Sequence, residues 1–293
     1  MKKRAMFGLV LVVGLSGGCC LNNDHEDKRP LPEAISLGEQ LYELNTRARA
    51  MPVVRAKGTV VVRYVDDQGN SKQDSADGTL LVRQRFGAAG INDPADVYLQ
   101  GRVAGQEVFQ SAKNQEKWWF ISRDKKGWMG DVTGMPDFSG EETGGNGGGV
   151  MRADLMLQVL AITEVQLRTG ETIAMKVRDA TRSNDMDILQ LRRDGTAWVK
   201  RELIVDRDTR NVRQVTLGDP AGKLVVRADL KDYQSVDNGK GGEVAFPRDI
   251  WVTYPAQKLS VHFAVDKVEV FSEAPELPFE TPDFVERGIQ LQR

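Results

Sequence analysis

Most of this chain is a succession of β-prone segments separated by short polar turns, with very little helical sequence between them. Turn sequences such as Asp66–Asn70 (DDQGN) and Asp124–Gly127 (DKKG) separate neighbouring segments. Strands that follow one another without intervening helices pair as antiparallel meanders, because parallel neighbours need a long crossover connection. The sequence therefore predicts a mainly β (α+β) protein built on a curved antiparallel sheet.

The predicted strands form two groups, one on each side of a glycine-rich segment. That segment, Ser139–Gly149 (SGEETGGNGGG), is predicted to be a flexible loop, and it lacks the Gly-Lys-Ser/Thr ending of a phosphate-binding loop. The first group of predicted strands comprises residues 57–65, 78–85, 96–103, 106–112, 117–122 and 127–132. The second comprises residues 172–179, 187–193, 197–205, 212–217, 223–233, 250–254 and 258–271, followed by an extended tail over 273–282.

A helix is predicted before the first strand, between Pro32 and Pro52. Apolar residues recur there at helical spacing, and prolines are typical of the ends of a helix rather than its middle. The residues of this apolar face are Leu37, Leu41, Leu44 and Ala48. A helix with one apolar face is expected to cover one side of the sheet.

A second helix is predicted over Met151–Thr163 (MRADLMLQVLAIT), and it is apolar nearly all round. Such a helix must be buried on more than one side, as it would be inside the concave face of a bent sheet. Two interpretations remain open: the helix simply fills the core, or it is a lid that lines a hydrophobic cavity. In the second case the candidate ligand-binding residues are Met151, Leu155, Met156, Val159 and Leu160.

Two adjacent tryptophans, Trp118 and Trp119, lie on one predicted strand. Alternation along a strand directs their side chains to opposite faces of the sheet. Core packing against the helices is one explanation for them. The others are that they line an apolar pocket suited to lipid tails, or that they bind a partner protein, so both are kept as candidate ligand-binding residues.

The sequence offers little for catalysis. The histidines are His25, in a polar segment, and His262, in a predicted strand, so no Ser-His-Asp or His-rich metal constellation can be built. Acidic residues that could pair fall in or beside turns, where they commonly shape the turn: Asp185, Asp187, Asp206 and Asp208. We therefore expect no enzyme, no catalytic residue, no metal site and no cofactor.

The N-terminal residues resemble a bacterial lipoprotein signal. A basic start (KKR) and a short apolar run lead through Ser16-Gly17-Gly18 to Cys19. We expect residues 1–18 to be a signal peptide, Cys19 to carry the lipid, and residues 19–33 to be a flexible tether before a single domain over 34–293. The alternatives are a plain signal peptide cut near Gly18, or a buried hydrophobic helix. Cys20 is a poorer lipidation site than Cys19, because the cut would then follow a cysteine.

Charge and cysteine usage narrow the possible partners. The net charge of −2, without long blocks of one sign, argues against binding to nucleic acid, which requires clustered positive charge. The only two cysteines are Cys19 and Cys20, so the domain has no internal disulfide. The expected protein is exported and anchored by lipid to the bacterial envelope, at the outer membrane facing the periplasm.

The stretch ELIVDRDTRNVRQVTLGDPAGKLVVRADLKDY, which begins at Glu202, resembles the strand–turn–strand repeat of the bacterial lipoprotein-localisation (LolA/LolB-like) superfamily. Phe246–Ile250 (FPRDI) and Leu277-Pro278-Phe279 resemble its closing elements. The resemblance implies an unclosed β-half-barrel, with helices over its hollow side and an apolar interior that receives acyl chains. The predicted anchor suits a receptor-like or resident lipoprotein better than a carrier.

Two hypotheses of function follow. In the first, the protein binds acyl chains or lipidated proteins in the half-barrel and acts in lipid or lipoprotein trafficking. In the second, it is a structural or assembly lipoprotein that binds an envelope protein through its sheet edge or tryptophan face, without a lipid cavity. Neither hypothesis identifies the protein partner.

Overall fold

The computed structural model describes residues 30–66, 68–85, 95–132, 151–192, 194–273 and 279–291. All elements given below lie within Pro32–Arg293, which forms one compact unit. The helices are α1 (Leu37–Arg49) and α2 (Ala153–Val159). The strands before α2 are β1 (Val53–Val65), β2 (Ser71–Gln84), β3 (Ala95–Val103), β4 (Gln106–Lys113), β5 (Lys117–Ser122) and β6 (Lys126–Asp131). Those after it are β7 (Glu171–Arg178), β8 (Ser183–Leu191), β9 (Ala197–Asp206), β10 (Val212–Gly218), β11 (Leu224–Asp237), β12 (Glu243–Tyr254), β13 (Leu259–Phe271) and β14 (Gln290–Leu291).

The described strands form one 14-stranded sheet in the order β14-β6-β5-β4-β3-β2-β1-β13-β12-β11-β10-β9-β8-β7. Two meanders, β1–β6 and β7–β13, are joined at the centre, where β1 pairs with β13. Neighbours are antiparallel except β14, which runs parallel to β6. The two end strands, β7 and β14, do not pair with each other, so the sheet is not closed into a barrel. The predicted mainly β fold with an unclosed, curved antiparallel sheet is confirmed.

Both helices cover the hollow side of this sheet. α2 packs against β3, β4 and β5 of the first meander and against β10 and β11 of the second. Its buried apolar residues and Leu44 of α1 belong to one hydrophobic cluster that draws on both meanders. The N-terminal helix is fixed by a capping box, in which the Ser36 hydroxyl accepts from the Glu39 N–H and the Glu39 carboxylate accepts from the Ser36 N–H.

Several strands are longer than predicted. β2 begins at Ser71 rather than Gly78, and β12 begins at Glu243 rather than Ile250. The added part of β2 (SKQDSAD) is polar, and it is held as a strand by pairing with β1 from Val65 to Thr59. A strand that pairs with a long neighbour can extend beyond its own pattern of alternating apolar residues. The pairing satisfies the hydrogen-bonding groups of the backbone, whatever the side chains are.

The second helix is shorter than predicted. It spans Ala153–Val159 rather than Met151–Thr163. Ala161 has φ of 53°, in the left-handed region, which is incompatible with continuation of a right-handed helix. Leu160, Ile162 and Val165 are nevertheless buried, because the chain continues along the core in an irregular conformation.

The central pairing of β1 with β13 contains a β-bulge at Lys57/Gly58. The backbones approach so closely there that a Cβ on Gly58 would lie 1.9 Å from the Ala264 carbonyl oxygen and 2.8 Å from Val265 Cα. Only glycine fits this position, so Gly58 is a requirement of the joint between the two meanders.

The predicted signal peptide, Cys19 and the glycine-rich loop at 139–149 lie outside the described residues. Of the predicted tether, only residues 30–33 are described. Within the described part of the chain, neither helix has the length and apolar character needed to cross a membrane.

Candidate functional site

The five candidate residues of the second helix segment lie together in the hollow of the sheet. Each of them has a relative exposure of 3% or less: Met151, Leu155, Met156, Val159 and Leu160. All five belong to the large hydrophobic cluster shared by the two meanders. The helix therefore occupies the space in which a ligand of the half-barrel would lie.

The two candidate tryptophans lie on opposite faces of β5. Trp118 is half-buried, and the Arg152 guanidinium lies 4.9 Å from the centre of its ring, so it belongs to the end of the hollow where α2 begins. Trp119 has no exposed surface and belongs to a second hydrophobic cluster on the other face of the sheet. The structure therefore brings Trp118, but not Trp119, together with the candidate residues of α2.

The second cluster joins the first meander to the C-terminal segment. Leu81, Tyr98, Ala112 and Trp119 form a row across β2, β3, β4 and β5. The row is covered by aromatic and aliphatic side chains of the C-terminal segment, Phe279, Phe284 and Ile289. Burial raises the pKa of the Tyr98 hydroxyl to about 12.

Polar contacts fix the chain just before α2. The Ser111 hydroxyl donates to the Met151 carbonyl oxygen at 2.7 Å, and the Tyr254 hydroxyl donates to the Arg152 carbonyl oxygen at 3.4 Å. Burial, with a smaller effect of the Asp154 carboxylate, raises the pKa of Tyr254, so its hydroxyl stays protonated as a donor. Asp154 is itself buried and forms an ion pair with Arg152 at 2.6 Å.

A second set of polar contacts fixes the chain just after α2. The buried Gln84 side chain donates to the Ile162 carbonyl oxygen at 2.8 Å and to the Ala48 carbonyl oxygen at 2.7 Å. The Asn45 side chain accepts from the Val165 N–H at 2.7 Å and donates to the Val165 carbonyl oxygen at 3.3 Å. These contacts tie the segment to α1, so the position of α1 and the position of α2 are coupled.

An Asn45→Ala variant is expected to loosen the segment that follows α2. Both hydrogen bonds to the Val165 backbone are lost, which should lower the free energy of unfolding by about 1–2 kcal/mol. Amide hydrogen exchange should become faster over residues 160–168, while the exchange of the central strands changes less. Chemical denaturation and hydrogen exchange measure the two effects.

A Tyr42→Ala variant is the matched control on the same helix. Tyr42 is 70% exposed, so its removal is expected to change the free energy of unfolding by no more than about 0.5 kcal/mol. Equal exchange rates near Val165 in the wild type and in Asn45→Ala would show that this contact does not hold the segment.

Three of the residues that shape the hollow were not identified from the sequence. Ser111, Lys113 and Gln84 are buried polar residues in strands, and the Lys113 ammonium donates to the Ala95 carbonyl oxygen at 2.7 Å. In the sequence of a strand, a buried polar residue looks the same as a polar residue that faces solvent.

A recess of about 400 Å³ lies at one rim of the sheet. It is bounded by the tip of the β1–β2 hairpin and the turn that joins β12 to β13. The residues that line it are Arg63, Tyr64, Val65, Ser71, Lys72, Gln73, Thr253, Tyr254, Pro255, Lys258, Leu259 and Ser260. None of the candidate residues of α2 lines this recess, which we call the rim recess.

His262 is part of a packed cluster rather than a catalytic array. Its ring stacks on Trp251 at 3.9 Å between centres, and its Nε2 lies 2.6 Å from Asp249 Oδ1. The Asp249 carboxylate also accepts from the Trp251 indole N–H at 2.9 Å. Among the described residues no group of three or more His, Cys, Asp or Glu side chains is placed to hold a metal ion.

Together these features define an open antiparallel half-barrel with a buried helix in its hollow. The structure is similar to that of a DUF1329 family protein from Desulfovibrio piger, with a TM-score of 0.51 and 12% identity, covering 83% of this chain and 95% of that one. It is also similar to a LolA superfamily protein from Nitrosomonas europaea, with a TM-score of 0.47 and 9% identity, covering 85% of this chain and 99% of that one. The resemblance to the LolA/LolB-like superfamily that the sequence predicted is confirmed as a similarity of fold.

No family model matches the chain, and no curated protein matches its sequence. At the identities found, the likeness shows the fold alone.

Proposed function

We propose that the hollow of the half-barrel binds acyl chains, of lipids or of lipidated proteins, and that α2 is the lid that occupies the hollow in the unliganded protein. The observation that carries this proposal is the burial of α2 on all sides, against strands of both meanders. The proposed binding residues are Met151, Leu155, Met156, Val159 and Leu160, with Trp118 at the end where α2 begins.

The attachment of α2 suits a segment that moves out of the hollow. Among the described residues, the side-chain hydrogen bonds made by α2 and its N-cap stay within that segment: Arg152 and Gln158 both donate to Asp154. Hydrogen bonds to the rest of the protein fix the chain before the helix, at Met151, and after it, at Ile162. Between those ends the helix is held by apolar packing. An acyl chain of similar volume can replace this packing, since each methylene that it buries contributes about 0.8 kcal/mol of favourable free energy.

The site would act beside a membrane. We propose that Cys19 carries the lipid anchor, that residues 19–33 are the tether, and that the protein resides in the bacterial envelope at the outer membrane. An anchored domain meets its ligand at the surface of the same membrane. We further propose that the protein is not an enzyme, since the hollow is lined by apolar side chains and His262 lies outside it.

Acyl binding can be tested with protein in which Cys19 and Cys20 are replaced by serine. We expect saturable uptake of a fluorescent long-chain fatty acyl probe. A Leu157→Ala variant, at a buried α2 position outside the proposed binding residues, should bind the probe more tightly, by roughly tenfold or more, because weaker packing of the lid lowers the free energy needed to displace it.

The matched control is Leu81→Ala, which removes the same atoms from the second cluster on the other face of the sheet. This variant should lose stability without a gain in probe affinity. If neither the wild type nor Leu157→Ala takes up probe in a saturable manner, the hollow is a filled core and the proposal fails.

The open edge of the sheet favours a second candidate function, the assembly lipoprotein that binds an envelope protein. β14 covers the edge at β6, whereas β7 has a neighbouring strand on one side only among the described residues. An exposed strand edge can pair with a strand of another protein. A photocrosslinker at Val177 in β7, which is 44% exposed, should then recover a protein partner in cells, and the absence of any crosslinked protein would count against this candidate.

A further inference from the structure

The rim recess has a positively charged lining. Its charged side chains are the cations Arg63, Lys72 and Lys258, and no carboxylate is among its lining residues. The recess lies between two hairpin ends, where β1 extends beyond its last pairing with β13 at Arg63–Ser260. A concave surface with several cations and no lining carboxylate favours an anionic ligand.

Two carboxylates beside the recess, Asp66 and Asp74, accept hydrogen bonds from the hairpin, and Asp66 offsets part of the charge of Lys72. Asp66 accepts the backbone N–H groups of Gln68 and Asn70 in the hairpin turn, and it lies 3.5 Å from the Lys72 ammonium. Asp74 accepts from the Tyr64 hydroxyl at 3.1 Å. No described carboxylate forms an ion pair with Lys258, so this cation remains available to a ligand.

The rim recess is continuous with the packing of the hollow. Tyr254 and Leu259 line the recess, and both are also buried members of the large cluster that contains α2. The Tyr254 hydroxyl donates to the Arg152 carbonyl oxygen immediately before α2. A ligand that occupies the recess would therefore lie beside the residue whose hydroxyl fixes the start of the lid.

We propose that the rim recess binds the anionic head group, a phosphate or a carboxylate, of an amphiphile whose acyl chain enters the hollow beside α2. This inference rests on the proposed acyl-binding function and specifies its ligand class as an anionic lipid. Lys258 and Lys72, from the two hairpin ends, contact the head group, Lys258 as the cation that pairs with no described carboxylate and Lys72 while it also pairs with Asp66 at 3.5 Å. Arg63 contributes less, because its guanidinium already bonds Gln73 and lies 5.2 Å from the Trp251 ring.

The test compares two fluorescent probes with the same long chain, one ending in a carboxylate and the other in its uncharged methyl ester. With the full chain carrying Cys19→Ser and Cys20→Ser, the carboxylate probe should bind roughly tenfold more tightly than the ester. The preference should fall as the salt concentration rises, since the cations are partly exposed. In a Lys72→Gln/Lys258→Gln variant the two probes should bind equally, with the affinity for the ester unchanged.

A Lys231→Gln/Lys240→Gln variant removes two exposed lysines outside the recess and is the matched control, which should keep the preference. Equal binding of the two probes to the wild type would overturn the head-group site and leave the acyl-binding function intact. If neither probe binds, the proposed function itself fails. Inorganic phosphate that displaces the carboxylate probe but not the ester would support an anion site that also takes the free ion.

Discussion

A Gly58→Ala variant is expected to lose most of its stability, with a fall in the free energy of unfolding of about 4 kcal/mol or more. The added Cβ would lie 1.9 Å from the Ala264 carbonyl oxygen and 2.8 Å from Val265 Cα. Both are backbone atoms of β13, so no side chain can rotate away and the strands themselves must separate. Because this bulge lies where the two meanders meet, separation there breaks the sheet in the middle. Urea denaturation followed by circular dichroism measures the loss.

Gly222→Ala is the control, because at Gly222 only the backbone conformation, and no close approach of other atoms, favours glycine. Gly222 has φ of +80° and no atom within 4 Å of the added Cβ, so the expected loss is about 1 kcal/mol. If Gly58→Ala were as stable as Gly222→Ala, the pairing of β1 with β13 across the bulge would be wrong. The difference between the two variants therefore tests the topology, and not only the local fit.

A Trp119→Ala variant is expected to lower the free energy of unfolding by about 3–5 kcal/mol, as is usual for removal of a fully buried large aromatic side chain. The side chain has no exposed surface, and it lies in the second cluster with Phe279 and Phe284 of the C-terminal segment. The cavity left behind should release that segment from β2–β5. Denaturation measures the stability, and hydrogen exchange over residues 279–291 measures the release.

Trp118→Ala separates the two faces of the same strand. Trp118 is half-buried and lies beside Arg152 on the hollow side, so its removal should cost less stability and leave the C-terminal segment protected. Unchanged protection of residues 279–291 in Trp119→Ala would contradict the assignment of Trp119 to that cluster. The two variants thus distinguish the side of the sheet that α2 covers from the side covered by the C-terminal segment.

The local elements of this fold could be predicted from the sequence because each has a periodic or turn signal of its own. Alternation and polar turns predicted the meanders, and the all-round apolar pattern predicted a helix buried between strands. No periodic or turn signal in the sequence predicts the pairing of β1 with β13. Its register depends on close backbone approach at Gly58, and a single glycine in a strand does not indicate which strand it approaches.

The residues of the candidate site also divide into those that could be identified from the sequence and those that could not. Leu155 and Met156 could be identified because an apolar helix must be buried on several sides. Gln84 and Asn45, which fix the chain after α2, could not, because a polar residue in a strand or on a helix looks the same whether it faces water or a distant carbonyl. The rim recess also escaped prediction, since Lys72 and Lys258 come from hairpin ends that are far apart in the sequence.

The central joint has a consequence for the order in which the chain can fold. The side chains of Arg55 and Glu269, which bond across β1 and β13, are 214 residues apart in the sequence. Contacts at such separations form late and slowly, because a long loop must be closed before they contribute. Until β13 has been synthesised, β1 keeps one unpaired edge. We therefore expect the chain to pass through a state with two separate half-sheets, in which that edge depends on chaperones for protection against aggregation.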